Sequence, residues 1–105
     1  MGQNAPFTAL KDKVLERIKQ KEPSHFDVVM LNDDFTTKDF VVAVLISVFG
    51  KTIKNAVSIM ESVHTTGKGL VGTYSYDIAV TLSDMVKNIA EDNGFPLRCI
   101  VQHHV

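Results

Sequence analysis

Apolar and polar positions along this 105-residue chain fall into short blocks whose period changes from one block to the next. Phe7, Leu10, Val14 and Ile18 recur at near-helical spacing among charged residues, and Pro23 ends the pattern. A helix that short is marginal without a surface to pack on, so residues 1–24 read as an arm, flexible or weakly helical, ahead of the body at 25–105.

The body opens with Phe26-Asp27-Val28-Val29-Met30-Leu31, a short β-branched run of the kind found in core strands. Asn32-Asp33-Asp34 ends it, because these side chains bond nearby backbone and favour turns. For Phe40 to Ile46, β propensity argues for a strand. Thr36 or Thr37 as N-cap, Asp39 in the first turn and the length down to Gly50 argue for a buried helix, and that reading is preferred. A second helix opens at Thr52, carries Ile53, Ala56, Val57, Met60 and Val63 on one side, and closes before Gly67. Gly69 to Tyr74 reads as a strand. Ser75 then caps a third helix with apolar positions at Ile78, Ala79, Leu82, Met85, Val86 and Ile89. Asn93-Gly94 ends that helix, and Leu97 to Val101 forms the last strand. The order βααβαβ predicts an α+β sandwich: a three-stranded antiparallel sheet packed against three helices.

Composition narrows the class. Apolar residues make up 45% of the chain, enough for a packed core. A formal charge of −1 supplies no global basic field for nucleic acid. Residues 8–22 hold five basic side chains against three acidic ones, a local excess of +2 that leaves −3 for the rest, densest at Asp33-Asp34. Cys99 is the single cysteine, so no intrachain disulfide can form; it reads as a small core residue in a reducing compartment. Met1 to Leu10 lacks the apolar core of a signal peptide, and Phe40 to Phe49, broken by Ser47, falls far short of the roughly 20 residues a membrane span needs. The expectation is a cytoplasmic protein.

Three polar features remain: Asn32-Asp33-Asp34, His64 near the end of the second helix, and Gly67-Lys68-Gly69 beyond it. Taken alone, the first is a turn, the second a helix-end histidine, and the third lacks the upstream spacing of a phosphate loop. No zinc-like ligand spacing and no nucleophile-elbow sequence is present; His103 and His104 alternate to opposite faces of a strand. Catalysis is the weak reading, with neither metal nor cofactor implied. Binding fits better. Asn, Asp and neutral His are acceptors for one ammonium, and an α-amino group, with a pKa of roughly 7.7–8.0, is largely cationic at pH 7. At an effective dielectric near 20, a charge pair about 4 Å apart attracts by about 4 kcal/mol before desolvation, enough to orient a peptide but not to select its side chain. Selection needs an adjoining apolar pocket, where one large side chain contributes roughly 1.5–3 kcal/mol; Met60 and Val63 share a helix with His64, and Val41 follows the turn.

Leu31-Asn32-Asp33-Asp34-Phe35-Thr36, Phe40-Val41-Val42, Ala56 with Met60, Val63-His64 with Gly67, Gly72 and Pro96-Leu97 closely resemble, at matching intervals over about residues 25–101, the ClpS family. These are the N-end-rule adaptors of the bacterial Clp protease. The resemblance implies that Asn32, Asp33 and His64 bind the α-amino group of an N-degron substrate. It implies a pocket of Met30, Leu31, Thr36, Lys38, Val41, Met60, Val63 and Leu97 for a first residue such as Leu, Phe, Tyr or Trp. It also implies a monomer whose arm and whose face near Asp77 and Leu82 meet the N-terminal domain of an AAA+ unfoldase, ClpA or ClpC, for delivery to ClpP. Two positions depart from the family pattern. Lys38 stands where Met is common, which implies weaker binding or a shifted preference, as for an acidic second residue. Leu82 stands where many members have Lys, so it is either a docking residue or part of the third helix's core stripe. The rival class is an interaction domain of the same shape, such as the C-terminal domain of the ribosomal stalk protein, since fold does not fix function; such a domain has no need of Asn32, Asp33 and His64 together.

Overall fold

The computed structural model describes residues 25–105, and the expected arm at 1–24 lies outside them. Three strands and three helices follow in the expected order: β1 (Phe26–Leu31), α1 (Lys38–Ser47), α2 (Ile53–Thr66), β2 (Lys68–Tyr74), α3 (Tyr76–Asp92) and β3 (Arg98–His103). The sheet is antiparallel throughout in the order β2-β1-β3, so the first strand is central.

Val28 and Met30 of β1 join one core with residues from all three helices, whereas the intervening Val29 is buried outside that core. The helices therefore cover one face of the sheet. On the other face Val29 is flanked by its register partners Leu70 and Ile100, and Leu70 remains 54% exposed. Asp27 on this face accepts a hydrogen bond from the Thr73 hydroxyl (2.6 Å), and His104 Nδ1 lies 2.9 Å from the same oxygen. The Thr73 bond, opposed by burial and helped by His104, holds the Asp27 carboxyl below its usual range.

The pairing of β1 with β2 shifts register between Val28 and Val29. Its effect is visible along β2, where the buried positions switch from Gly69 and Val71 to Tyr74, breaking the alternation by one residue. Both outer strands are longer or shifted relative to expectation. β2 begins one residue earlier at Lys68, and β3 runs from Arg98 to His103 instead of Leu97 to Val101, because each pairs along all of β1.

The β-branched run 40–46 is helical. Thr37 is the N-cap, its hydroxyl accepting the Phe40 N–H at 3.2 Å, and Val41, Val44, Leu45 and Val48 form a buried stripe at helical spacing. Burial of that stripe outweighs the weak propensity of valine and isoleucine for helix. Phe40 meets Phe95 with ring centroids 4.7 Å apart, tying α1 to the segment before β3. Thr52 caps α2 through the Asn55 N–H. Ser75 takes the N-cap position of α3, yet its hydroxyl bonds no first-turn N–H; the favourable charge at that end comes from Asp77. Leu82 is 1% exposed and belongs to the core stripe of α3, so it has no surface to offer a partner. Cys99 packs against the core, and burial pushes its thiol up to about 12, which leaves no thiolate at neutral pH.

The Gly67-Lys68-Gly69 run serves the backbone. Gly67 ends α2 in the left-handed region (φ 94°) with its N–H on Val63 O. At Gly69 a Cβ would stand 2.8 Å from Val63 Cγ2 and 3.2 Å from Ile59 O, so the glycine lets β2 cross α2 closely.

Two stability changes follow. Leu45→Ala, at a fully buried position, lowers the free energy of unfolding by about 2–5 kcal/mol in urea titration, whereas Ala43→Ser on the exposed side of the same helix stays within about 0.5 kcal/mol. Gly67→Ala costs about 1 kcal/mol or more in the same assay, since alanine must adopt a left-handed backbone.

Candidate functional site

Where β1 ends, the chain crosses from the sheet to α1 in six residues, 32–37. Asp33 organises this crossing. Its Oδ1 accepts the N–H of Phe35 (2.8 Å) and of Thr36 (2.7 Å), and its Oδ2 accepts the Thr36 hydroxyl (2.8 Å). Burial raises the carboxyl's pKa, but the three hydrogen bonds together outweigh it and hold the group below its ordinary 3.8. A second bond fixes the crossing from outside: Asn32 N–H donates to Gly67 O at 3.0 Å. Asn32 is thereby tied to the turn that ends α2, one helical turn beyond His64.

Between this loop, the start of α1 and the end of α2 lies a cavity of about 240 Å³. Val41 of α1 with Met60 and Val63 of α2, all buried, give it an apolar floor. Asn32, Asp33, Asp34, Thr36, Lys38 and His64 complete the lining. Of these, Asn32, Asp34, Lys38 and His64 are exposed. His64 sits in the last turn of α2.

Eight of the residues singled out from sequence thus meet at one cavity: Asn32, Asp33, Thr36, Lys38, Val41, Met60, Val63 and His64. Three others do not line it. Met30 is 0% exposed, a core residue on the helix-facing side of β1. Leu31 pairs with Lys68 and Arg98 at the end of the sheet, an odd position in β1 like Val29 and therefore on the opposite face from Met30. Leu97 is 2% exposed and borders a separate cavity with Phe95, Pro96 and Lys87. Asp77 is exposed in the first turn of α3, away from the cavity lining.

Asp34 is the lining residue that had no role of its own assigned from sequence. Its signal was present in the second acid of Asn32-Asp33-Asp34, but sequence cannot say which carboxylate the turn consumes. An ionised carboxylate has about four lone-pair sites. Asp33 commits three of them to its own loop, whereas Asp34 makes no hydrogen bond or ion pair with the described residues. Among the described residues, no three His, Cys, Asp or Glu side chains are grouped as metal ligands would be, and no helix is long and apolar enough to cross a membrane.

These features define a small α+β domain with a binding cavity whose rim is polar and whose floor is apolar, set between one loop and two helices. The chain belongs to the ClpS family: the model of the ATP-dependent Clp protease adaptor protein ClpS matches residues 21–100. This is an adaptor family, not an enzyme family. The adapter ClpS of Wolinella succinogenes is 46% identical over 90 residues, covering 86% of this chain and 88% of that protein. That of Treponema denticola is 52% identical over 81 residues, covering 77% and 80%. The solved structure of Agrobacterium tumefaciens ClpS2 bound to L-phenylalaninamide superposes with a TM-score of 0.75 at 30% identity, covering 79% of this chain and all of that one.

The Asp33 hydrogen bonds make the loop sensitive to acid. The folded-state pKa lies below the unfolded one, so its contribution is complete above the unfolded value of about 3.8 and is lost as pH falls through the folded value. Urea midpoints measured between about pH 2 and pH 6 fall on the acid side for the wild type. In Asp33→Asn, which keeps an oxygen for the two backbone N–H groups but has no charge to lose, that fall is shallower. Identical slopes would show that the loop bonds carry no linked stability.

Proposed function

We propose that this protein is an adaptor that binds the N-terminal residue of N-degron substrates and delivers them to the ClpA/ClpC-ClpP ATP-dependent protease, catalysing nothing itself. The observation that carries the reading is the single cavity in which exposed acceptors rim an apolar floor. A free α-amino group brings three donors and a positive charge, and Asn32, Asp33 and His64 are acceptors within one rim, with the carboxylate of Asp34 beside them. Asp33 has one lone-pair site left on Oδ2 for the amine while its other bonds hold the loop that presents its neighbours. A Leu, Phe, Tyr or Trp side chain rests on Val41, Met60 and Val63, with Thr36 and the stem of Lys38 at the edge.

The bound molecule of the Agrobacterium relative supports the same chemistry, since L-phenylalaninamide has a free α-amine, one large apolar side chain and an amide where a peptide would continue. In this reading residues 1–24 and the exposed surface around Asp77 meet the N-terminal domain of the unfoldase, and the adaptor acts as a monomer in the cytoplasm. Family membership and the exposure of Asp77 support that part.

Fluorescence anisotropy with peptides beginning Leu, Phe, Tyr, Trp, Val or Ala tests the reading, each peptide in free and N-acetylated form. Acetylation removes the charge and leaves the side chain, so it weakens binding of the Leu, Phe, Tyr and Trp peptides by about tenfold or more, corresponding to about 1.4 kcal/mol. Equal binding of the two forms would sink amine capture. His64→Ala weakens the free peptides to a similar degree with an unchanged urea midpoint, because His64 is exposed and bonds nothing else in the described structure. Degradation of a Leu-initiated reporter by ClpA-ClpP or ClpC-ClpP, with and without the protein, reads delivery.

A further inference from the structure

One wall of the cavity is cationic. Lys38 is the first residue of α1, exposed, and lines the cavity beside Asn32, Asp34 and His64. Among the described residues the one ion pair joins His104 to Asp27, so no carboxylate lies within 4.0 Å of the Lys38 ammonium. Its position adds to the effect. The first turn of a helix is the positive end of the macrodipole, where anions are favoured and cations are not. Asp39, the exposed acid of the same first turn, does not line the cavity, so Lys38 is the cation among lining residues that also include Asp33 and Asp34 of the loop.

This charge separation has a direction that a peptide can follow. In the proposed pose the α-amine meets the acceptors and the first side chain the apolar floor, which leaves the Lys38 ammonium, given to neither, for the chain that follows. The reach of a lysine stem, packed along apolar surface with its ammonium in water, suits contact with a side chain that never enters the pocket. We infer that Lys38 is a specificity residue that favours substrates with Asp or Glu at their second position and disfavours those with Lys or Arg there. The inference rests on the amine-capture reading of the same cavity and adds a second substrate position to it. The Lys38 pair is solvent-facing, so its effect is modest: about two- to five-fold in Kd for each unit of charge.

The test uses full-length protein and free-amine peptides Leu-Glu, Leu-Ala and Leu-Lys that are otherwise identical, with anisotropy at about 0.05 M and about 0.5 M salt. Wild type binds them in the order Glu, Ala, Lys, and high salt narrows the spread. Lys38→Met levels the series, and Lys38→Glu reverses it. Lys38 is exposed and makes no side-chain bond with the described residues, so both variants fold with a urea midpoint no lower than that of wild type. Equal binding of the three peptides to wild type, or an order that persists in Lys38→Met, overturns the role of Lys38 and leaves amine capture standing. Failure of all three to bind folded wild type overturns both.

Discussion

The hydrogen bond from Asn32 N–H to Gly67 O is the constraint on which the candidate site depends. It joins the end of the central strand to the left-handed turn that closes α2, at the point where β1 and β2 begin their pairing through Leu31 and Lys68. The bond ties the start of the loop after β1 to the residue that ends α2. Seven of the nine lining residues hang from one side of this joint or the other, and Lys38 and Val41 come from α1. Asn32, Asp33, Asp34 and Thr36 are carried by the loop, and Met60, Val63 and His64 by the helix. Gly67 makes the joint feasible through its positive φ, and Gly69 makes it tight by admitting the side chain of Val63.

Within that frame the two adjacent acids have separate duties. Asp33 spends its hydrogen-bonding capacity on three groups within three residues of itself, which converts a six-residue crossing into a defined shelf. Asp34, His64 and Asn32 remain exposed and project from the rim that this shelf and α2 create. Such a division suits recognition, since groups that bind a ligand stay solvated and unstrained until it arrives, while a neighbour that is already satisfied keeps them in place. The floor below belongs to the hydrophobic core itself: Val41, Met60 and Val63 are buried members of the same cluster as Val28 and Leu45. A ligand side chain seated there extends the core by one residue.

The remainder of the molecule shows how little is needed to support this. Three helices cover one face of a three-stranded sheet, and the other face relies on Val29 between Leu70 and Ile100 and on the Asp27-Thr73-His104 cluster. Strand length is set by β1, which each outer strand pairs along fully. That is why β3 runs past Val101 into His103, although nothing in the local sequence from Gln102 onward favours a strand.

The sequence by itself determined the elements and their order. Apolar spacing distinguished helices from strands, even in the β-branched run 40–46, where Thr37 and the length to Gly50 outweighed local propensity. It also offered Asn32, Asp33 and His64 as acceptors suited to one ammonium, and the resemblance to the ClpS family joined them into one site. Only the tertiary structure decided which neighbours share a surface. Met30, Leu31 and Leu97 lie close in sequence to the site or within its motifs, yet they point into the core, onto the opposite sheet face and toward another cavity. Leu82 proved to be core for the same reason, since which side of α3 meets the sheet is a property of packing. The division between Asp33 and Asp34 was equally hidden: two identical side chains one residue apart differ only in which backbone N–H groups the folded loop brings to them. Periodicity is local and can be read along a chain, whereas the direction of a side chain across a joint between segments more than 30 residues apart exists only once the joint has formed.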